Sequence, residues 1–185
     1  MFETKRLIIR RFTPDDAQDL FEYLADPETV KFEPYYTFSK SAAADEARRR
    51  AKDSSFWAVC LKDTHKMIGN LYFCQQQPTD FDTWELGYVF NPLFTKKGYA
   101  TESALKILEY GFESCGAHRI VAHCDPENTA SWHLLERLHM RREGHMLKTA
   151  FFKWNEEGIA LWHDTYAYAM LSEEWAENAK NRQGK

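Results

Sequence analysis

The sequence lacks the features that mark secreted, membrane-spanning and nucleic-acid-binding proteins. Its four cysteines (Cys60, Cys74, Cys115 and Cys124) are dispersed without a C-x-x-C pair, which favours free thiols in a reducing compartment. No apolar run reaches transmembrane length, and the N-terminus lacks the apolar segment of a signal peptide. A net charge of −4 argues against general affinity for nucleic acid. We therefore expect a cytoplasmic protein that binds neither membranes nor nucleic acid.

The spacing that metal ligands require is also missing. The seven histidines form no H-E-x-x-H or comparable pattern. His123 and Cys124 are adjacent in sequence, but they would face opposite sides of a strand. The cysteines fall within predicted strands and a helix, which favours buried thiols over nucleophiles. We expect no metal site.

What the chain does have is an alternation of strand and helix patterns. Its 185 residues, 44% apolar and 28% charged, suffice for one globular domain with a sizeable core. Because no repeat or linker divides it, we predict a single α/β domain over 1–172, followed by a C-terminal helix and tail over 173–185. Period-two patterns predict strands at 5–12, 56–61, 67–75, 84–90, 118–124, 146–154 and 159–171.

Helical periodicity predicts four helices before the C-terminal one. Thr13 is the expected N-cap of the first, and Asp125 that of the last. In the second helix, the three arginines at 48–50 point in different directions around the axis, so we expect them to be mostly solvated. The four predicted segments are 13–26, 41–52, 100–116 and the residues that follow Asp125.

The segment 28–39 is rich in aromatic residues and has few structural signals. Such a loop either lines a substrate groove or covers the core, and the sequence supports both readings equally. Its aromatic residues are Phe32, Tyr35, Tyr36 and Phe38.

The stretch 84–115 combines a strand, a turn and a helix. Asn91-Pro92 ends the strand because proline has no N–H to donate. A turn between a strand end and a helix start gathers free backbone N–H groups at the positive end of the helix dipole. Gly98 allows close backbone approach, and Lys96 and Lys97 add positive charge. The turn therefore suits a phosphate or pyrophosphate group.

Glu85 is a carboxylate within the otherwise apolar strand of this stretch. Such a group must be paired, or must lie at a cleft where desolvation raises its pKa. The latter is the condition that a general base for an amine needs. An ordinary strand residue on the solvated face is the alternative.

The motifs together resemble those of the GNAT acyltransferase superfamily, and within it the RimJ/RimL-type branch of ribosomal-protein N-terminal acetyltransferases. The resemblance covers nearly the whole chain, and the order and spacing of the short motifs make it specific. The matching segments are T-K-R-L-I-I-R-R-F-T-P-D-D-A at 4–17, M-I-G-N-L at 67–71, E-L-G-Y-V-F at 85–90, K-G-Y-A-T-E at 97–102, D-P-E-N-T-A-S at 125–131, L-L-E-R-L at 134–138 and W-H-D-T-Y-A-Y at 162–168.

This resemblance implies a GNAT fold: a mixed, twisted, mostly antiparallel sheet flanked by helices and splayed between its fourth and fifth strands. Acetyl-CoA would enter the splay, with its pantetheine along the backbone of Tyr88, Val89 and Phe90. Asn128 would bind the cofactor arm, and Ser131 would lie near the thioester sulfur. The pyrophosphate would rest on the backbone of Thr95, Lys96, Lys97, Gly98, Tyr99, Ala100 and Thr101.

The implied activity is metal-independent transfer of an acetyl group to a primary amine by direct attack in a ternary complex. Glu85 would accept the proton, and Ser131 would hydrogen-bond or protonate the departing thiolate. A protein N-terminal α-amine, an amine metabolite and an amine-bearing antibiotic all remain open as acceptors. The resemblance is also compatible with a homodimer. The alternative function is a catalytically weak acyl-CoA-binding regulatory module.

Two positions depart from the family pattern. Lys96 stands where the family usually has a glycine of the phosphate loop, and His139 stands where it has a glycine after the last central helix. The lysine would either loosen phosphate binding or add a charged contact. The histidine would have to carry a left-handed C-cap.

Overall fold

A single mixed sheet of eight strands forms the centre of the computed structural model, which describes residues 1–183. The strands lie in the order β1-β2-β3-β4-β5-β6-β8-β7, and among the strand pairs of these residues only β5–β6 is parallel. Their bounds are β1 (Phe2–Glu3), β2 (Leu7–Arg11), β3 (Phe56–Leu61), β4 (Met67–Gln75), β5 (Thr83–Phe90), β6 (Arg119–Cys124), β7 (Arg141–Trp154) and β8 (Ala160–Leu171).

The parallel pair opens along its length. β5 and β6 pair only over the first three residues of β5, ending at Glu85↔Val121. From 86 to 90, β5 keeps its antiparallel register with β4, as far as Gly69↔Phe90, while its other edge has no strand partner among the described residues. The predicted splayed sheet is confirmed. The opening lies between the fifth and sixth strands here because the two-residue strand β1 adds one to the count.

Helices cover both faces of the sheet. On one face, α1 and α2 pack over a core that includes Leu20, Ala47 and Ala58. On the other, α3 and α4 contribute Ile107 and Leu134 to the larger core cluster. The helices are α1 (Ala17–Leu24), α2 (Lys40–Lys52), α3 (Tyr99–Glu109), α4 (Thr129–Arg137) and α5 (Ser172–Gln183).

The second helix corrects one prediction. Arg48 and Arg49 are exposed as expected, with 57% and 51% of their side chains accessible, but Arg50 is 2% exposed. Ala43, Ala47 and Arg50 lie on one helical face, at i, i+4 and i+7, and all three are buried. The prediction was wrong for Arg50 because Arg50 falls on the face that Ala43 and Ala47 turn toward the sheet.

The start of α4 corrects another. Its N-cap is Asn128, whose Oδ1 accepts the Ser131 N–H at 3.2 Å, rather than Asp125. The carboxylate of Asp125 is used in the preceding turn, where it accepts the Glu127 N–H at 2.7 Å, and it also lies 2.6 Å from His163 Nδ1. The Asp125 carboxylate, which the sequence predicted to cap the helix, therefore contacts His163, 38 residues away, instead.

Smaller differences concern element ends and cysteines. β7 begins at Arg141, five residues before the predicted start at 146. Cys60 and Cys124 are buried, as expected, whereas Cys74 and Cys115 are only half-buried. Within 1–183, no helix is long and apolar enough to cross a membrane.

The C-terminal helix packs against the domain. Trp175 of α5 is buried, and its ring stacks on Phe112 at a centroid distance of 5.6 Å. The proposed division into a domain over 1–172 and a tail over 173–185 stays a prediction, and its last two residues, 184–185, lie outside the described residues.

Candidate active site

A cavity of about 490 Å³ occupies the opening between β5 and β6. Its wall comes from α2, the loop at 32–35, Phe56 of β3, β4, β5, the end of β6, the start of α4 and Phe152 of β7. The cavity therefore joins the α1–α2 side of the sheet to the α4 side through the splay. Phe32 and Tyr35 line it, while Tyr35 and Phe38 also pack on the core, so the aromatic loop both borders the cavity and covers the core.

Glu85 lies in the cavity on the α2 side. Side chains alternate along β5, and Glu85 pairs across the ladder with Cys74, whereas Leu86 and Tyr88 belong to the core on the opposite face. The Oε1 atom of Glu85 lies 3.0 Å from Nδ1 of His123 on β6, and both side chains are partly exposed to the cavity. The strand residue is therefore a paired carboxylate at a cleft.

The sequence did not identify His123 as a partner of Glu85. The two residues are 38 positions apart and meet only because β5 and β6 pair in parallel, with Glu85 opposite Val121. Alternation on the predicted strand placed His123 on the same side as Val121 but could not say which strand lay beside it.

Glu33 is a second carboxylate in the cavity. Burial raises its pKa from an ordinary 4.5 to about 7, against a hydrogen bond from Tyr35 and the charges of Arg50 and Lys153. Lys153 of β7 also donates to the carbonyl of Val30 at 2.8 Å and so ties the loop down. Glu33 therefore changes its charge near neutral pH.

Asp164, another carboxylate that could accept a proton, is placed differently. It lies on β8, accepts the Lys148 N–H at 2.9 Å and sits 2.9 Å from His145 Nε2. The backbone N–H of Lys148, followed by His145, lowers the pKa of its carboxyl. Asp164 is not part of the cavity wall, so the structure separates it from Glu33 and Glu85.

Ser131 lies on the α4 side of the cavity and forms a pair with Tyr88 of β5. The Tyr88 hydroxyl lies 2.9 Å from Ser131 Oγ and donates to the Ser131 carbonyl at 3.0 Å. Burial raises the pKa of the Tyr88 phenol, which is therefore protonated at neutral pH. The sequence assigned only the backbone of Tyr88 to the site, because a side chain directed at a helix 43 residues away has no local signal.

The turn before α3 presents its backbone N–H groups together. Lys96 and Gly98 have positive φ values of 59° and 82°, and Gly98 begins the helix without a side-chain cap. In the described chain, the N–H groups of 96–101 donate to no protein acceptor, whereas that of Thr95 donates to the Pro92 carbonyl at 3.3 Å. Lys96 thus takes the left-handed conformation of the glycine that it replaces, as does His139 with φ of 63°.

Arg6 holds this turn in place. Its Nη1 donates to the carbonyl of Lys97 at 2.9 Å, and its Nε donates to Glu102 at 2.7 Å. Its guanidinium lies over the Tyr99 ring at 4.5 Å. The strand β2 region therefore fixes the orientation of the free N–H groups, which lie outside the cavity wall at the start of α3.

The sequence is similar to those of known proteins over most of its length. Residues 6–141 match the family described as the acetyltransferase (GNAT) domain. The chain belongs to this family. It is 40% identical over 173 residues to the uncharacterized N-acetyltransferase YnaD of Bacillus subtilis, covering 93% of this chain and 97% of the relative. The confirmed GNAT membership makes it an acyltransferase of a family that uses acetyl-CoA.

Solved structures give the same result. A GNAT-family acetyltransferase from Bacillus anthracis superimposes with a TM-score of 0.84 at 34% identity, covering 93% of this chain and 98% of that one. The ribosomal-protein-S5-alanine acetyltransferase of Vibrio fischeri has a TM-score of 0.77 at 21% identity, with 94% and 97% covered, which shows a shared fold. The GNAT fold predicted from the motifs is confirmed.

Potential metal ligands do not cluster in the described residues. Across the described residues, no group of three or more His, Cys, Asp or Glu side chains could hold a metal ion. Independence of metal stays a prediction.

Proposed function

We propose that this GNAT protein transfers the acetyl group of acetyl-CoA to a primary amine within a ternary complex. The observation that carries the proposal is one cavity, open through the splayed sheet, with carboxylates on the α2 side and a hydroxyl pair on the α4 side. An amine would arrive from the α2 side and the thioester through the splay. No covalent enzyme intermediate is invoked, since the two buried cysteines have pKa values raised by desolvation to about 11.

The donor would be held mainly by backbone. The six free N–H groups at 96–101, next to the positive end of the α3 dipole, would bind the pyrophosphate. The unpaired edge of β5 at Tyr88, Val89 and Phe90 would pair with pantetheine amides in the manner of an added strand. Asn128, at the start of α4 in the cavity wall, would bind the same arm.

The proton leaves the amine on the α2 side. Alkyl amines are mostly protonated at neutral pH, so attack requires a base. We assign this role to Glu85, oriented by His123, directly or through a water. Glu33 is the alternative acceptor, because a carboxylate with a pKa of about 7 is matched to proton transfer at that pH.

The sulfur leaves on the α4 side. As the amine nitrogen bonds to the carbonyl carbon and the C–S bond breaks, Ser131 Oγ would hydrogen-bond or protonate the thiolate. Tyr88 would support it: its O–H, which donates to the Ser131 carbonyl at 3.0 Å, would turn to Ser131 Oγ, 2.9 Å away, as the Ser131 proton moves to the sulfur. A backbone N–H of β5 would stabilise the oxyanion of the tetrahedral intermediate.

The experiment that tests the function is a coupled measurement of binding and turnover. Calorimetry with CoA measures donor binding, and thiol release from acetyl-CoA across a panel of amines measures transfer. Acetylation of any amine at a rate well above the uncatalysed reaction supports the proposal. Binding of CoA without turnover on any amine would instead favour the alternative of an acyl-CoA-binding regulatory module, for which Lys96 in the phosphate turn is the favouring observation.

The quaternary state and location are part of the proposal. The β7–β8 hairpin, at the sheet edge, exposes apolar side chains such as Leu147, Trp154 and Trp162. We expect a homodimer that buries part of this surface, in the cytoplasm. A monomeric mass in light scattering at micromolar concentration would contradict the dimer.

A further inference from the structure

Arg50 is a buried cation in the cavity wall, and one of its N–H donors makes no hydrogen bond within the described residues. Its side chain is 2% exposed, and its Nε donates to Glu46 Oε1 at 2.7 Å. Its guanidinium carbon lies 4.6 Å from the centroid of the Phe56 ring. Among the described residues its buried Nη1 has no hydrogen-bond partner, and the Tyr35 hydroxyl beside the guanidinium is shared with Glu33. A buried guanidinium N–H without an acceptor costs free energy. A ligand that placed an acceptor at Nη1 would therefore be stabilised there.

At the end of the cavity that α2 lines, nearby carboxylates do not fully neutralise the positive charge of Arg50. Glu46 is shared, because Arg49 Nε donates to its Oε2 at 2.7 Å while Arg50 donates to its Oε1. Glu33 is the other acidic side chain close to Arg50, and burial keeps it partly protonated at neutral pH. Lys153 adds a further positive charge beside Glu33. The α2 end therefore carries a positive surplus.

The part of the same cavity that borders the splay carries negative charge. Glu85 and Asp125 both line it near the splay, where the thioester would be. Their histidine partners, His123 and His163, lie at hydrogen-bonding distance. An acceptor that fits this polarity has an ammonium group directed at the splay and an anionic group directed at α2.

We propose that Arg50 binds a carboxylate carried by the acceptor, so that the substrates are amino acids or other amines bearing a carboxylate. This inference rests on the proposed acetyl transfer and narrows its acceptor class. The free Nη1–H would donate to a carboxylate oxygen, giving a charge-assisted hydrogen bond in a site shielded from water. The aromatic side chains of Phe32, Phe56 and Tyr72 would contact the apolar body of the substrate.

The test compares acids with their amides. Binding to CoA-saturated protein, by calorimetry, and acetylation with acetyl-CoA are measured for L-alanine, L-phenylalanine and 4-aminobutyrate, each beside its carboxamide. We expect at least one acid to bind more tightly than its amide in the native protein. Because an acid and its amide differ in amine basicity, the deciding quantity is how the acid-to-amide ratio changes with mutation.

Three variants make the comparison specific. Arg50→Gln should weaken binding of the preferred acid by about 10- to 100-fold and that of its amide by less than about 3-fold. Arg50→Lys keeps the charge and should recover part of the preference. Arg48→Gln is the matched control: Arg48 lies two positions earlier on α2, its side chain is 57% exposed and paired with Asp45, and it is not part of the cavity wall. It should leave the ratio unchanged.

The outcomes separate the two claims. If no acid binds better than its amide to the native protein, or if Arg50→Gln leaves the ratio unchanged, the assignment of Arg50 is overturned whatever the activity. If amines are acetylated without any acid preference, acetyl transfer stands and the inference fails. If the acids bind through Arg50 but no amine is acetylated, the carboxylate site stands and the proposed function fails.

Discussion

The two ends of the proposed reaction path are built by different means. The donor end is a turn and a strand edge, where backbone N–H groups of 96–101 and of β5 face outward. The acceptor end is a set of charged side chains, among them Glu33, Arg50 and Glu85, drawn from separate segments of the chain. Backbone groups suit a donor that all family members share, whereas side chains can be exchanged to suit one acceptor.

The largest effect should come from the acceptor end. Glu85→Gln keeps the size of the side chain but cannot accept a proton, so kcat should fall by about 10²- to 10⁴-fold, with an altered acid limb of the pH–rate profile. CoA affinity, measured by calorimetry, should stay unchanged. If Glu33→Gln produces this loss and Glu85→Gln does not, Glu33 is the proton acceptor and Glu85 a structural strand residue.

The next effect should come from the donor end. Gly98→Asp puts a side chain at φ of 82°, with its Cβ 3.3 Å from Arg6 Nη2, and adds negative charge where a pyrophosphate would lie. CoA affinity should fall by at least about 10-fold. Gly158→Asp is the matched control, because Gly158 also has positive φ but nothing lies within 4 Å of its Cβ position. Equal affinities in the two folded variants would remove the phosphate assignment.

A smaller loss of activity is expected at Ser131, where the donor end meets the acceptor end. Ser131→Ala removes the hydroxyl proposed to assist the departing thiolate, so kcat should fall by about 10-fold with little change in CoA affinity. Tyr88→Phe should produce a milder loss of the same kind, since it acts through Ser131. A rise in the KM for acetyl-CoA alone would make Ser131 a ligand of the donor instead.

The acceptor end should also make stability depend on pH. Because burial raises the pKa of Glu33 to about 7, the folded protein holds this proton more tightly than the unfolded chain. The stability that Glu33 contributes is thus present below about pH 4.5 and lost as pH rises to 7, by at most about 3 kcal/mol. Glu33→Gln should therefore stabilise the protein more at pH 8 than at pH 5 in urea denaturation. An equal difference at both pH values would contradict the burial of this carboxyl.

No effect is expected from removing metals. Protein treated with a chelator and passed through a desalting column should keep its full rate of thiol release. A loss that zinc restores would show that a metal acts at one of the two ends, and His123 would be the first ligand to test.

The donor end could be predicted from sequence because its geometry is local. Pro92 ends the strand, Gly98 permits the left-handed turn, and the periodic residues after Gly98 begin the helix within a few positions. The free N–H groups of the turn follow from that order alone. Lys96 shows the limit of this reading, because the sequence could not tell whether a lysine would take the positive φ that it has.

The acceptor end could be predicted only in part. Glu85 was recognised because a carboxylate stands out in an apolar strand. His123, the Tyr88 hydroxyl and the free donor of Arg50 were missed, since each depends on which strand or helix lies next to it.

The sequence by itself determined the type and order of most helices and strands, and the turn between β5 and α3, since dihedral preferences and periodicity act over a few residues. Only the tertiary structure decided which side chains share the cavity. The parallel register of β5 and β6, which ends at Glu85↔Val121, brings Glu85 to His123 and opens the sheet beyond them. Packing of α2 on that sheet turned Arg50 inward, because a helix must bury one face and the register of Ala43 and Ala47 selected it.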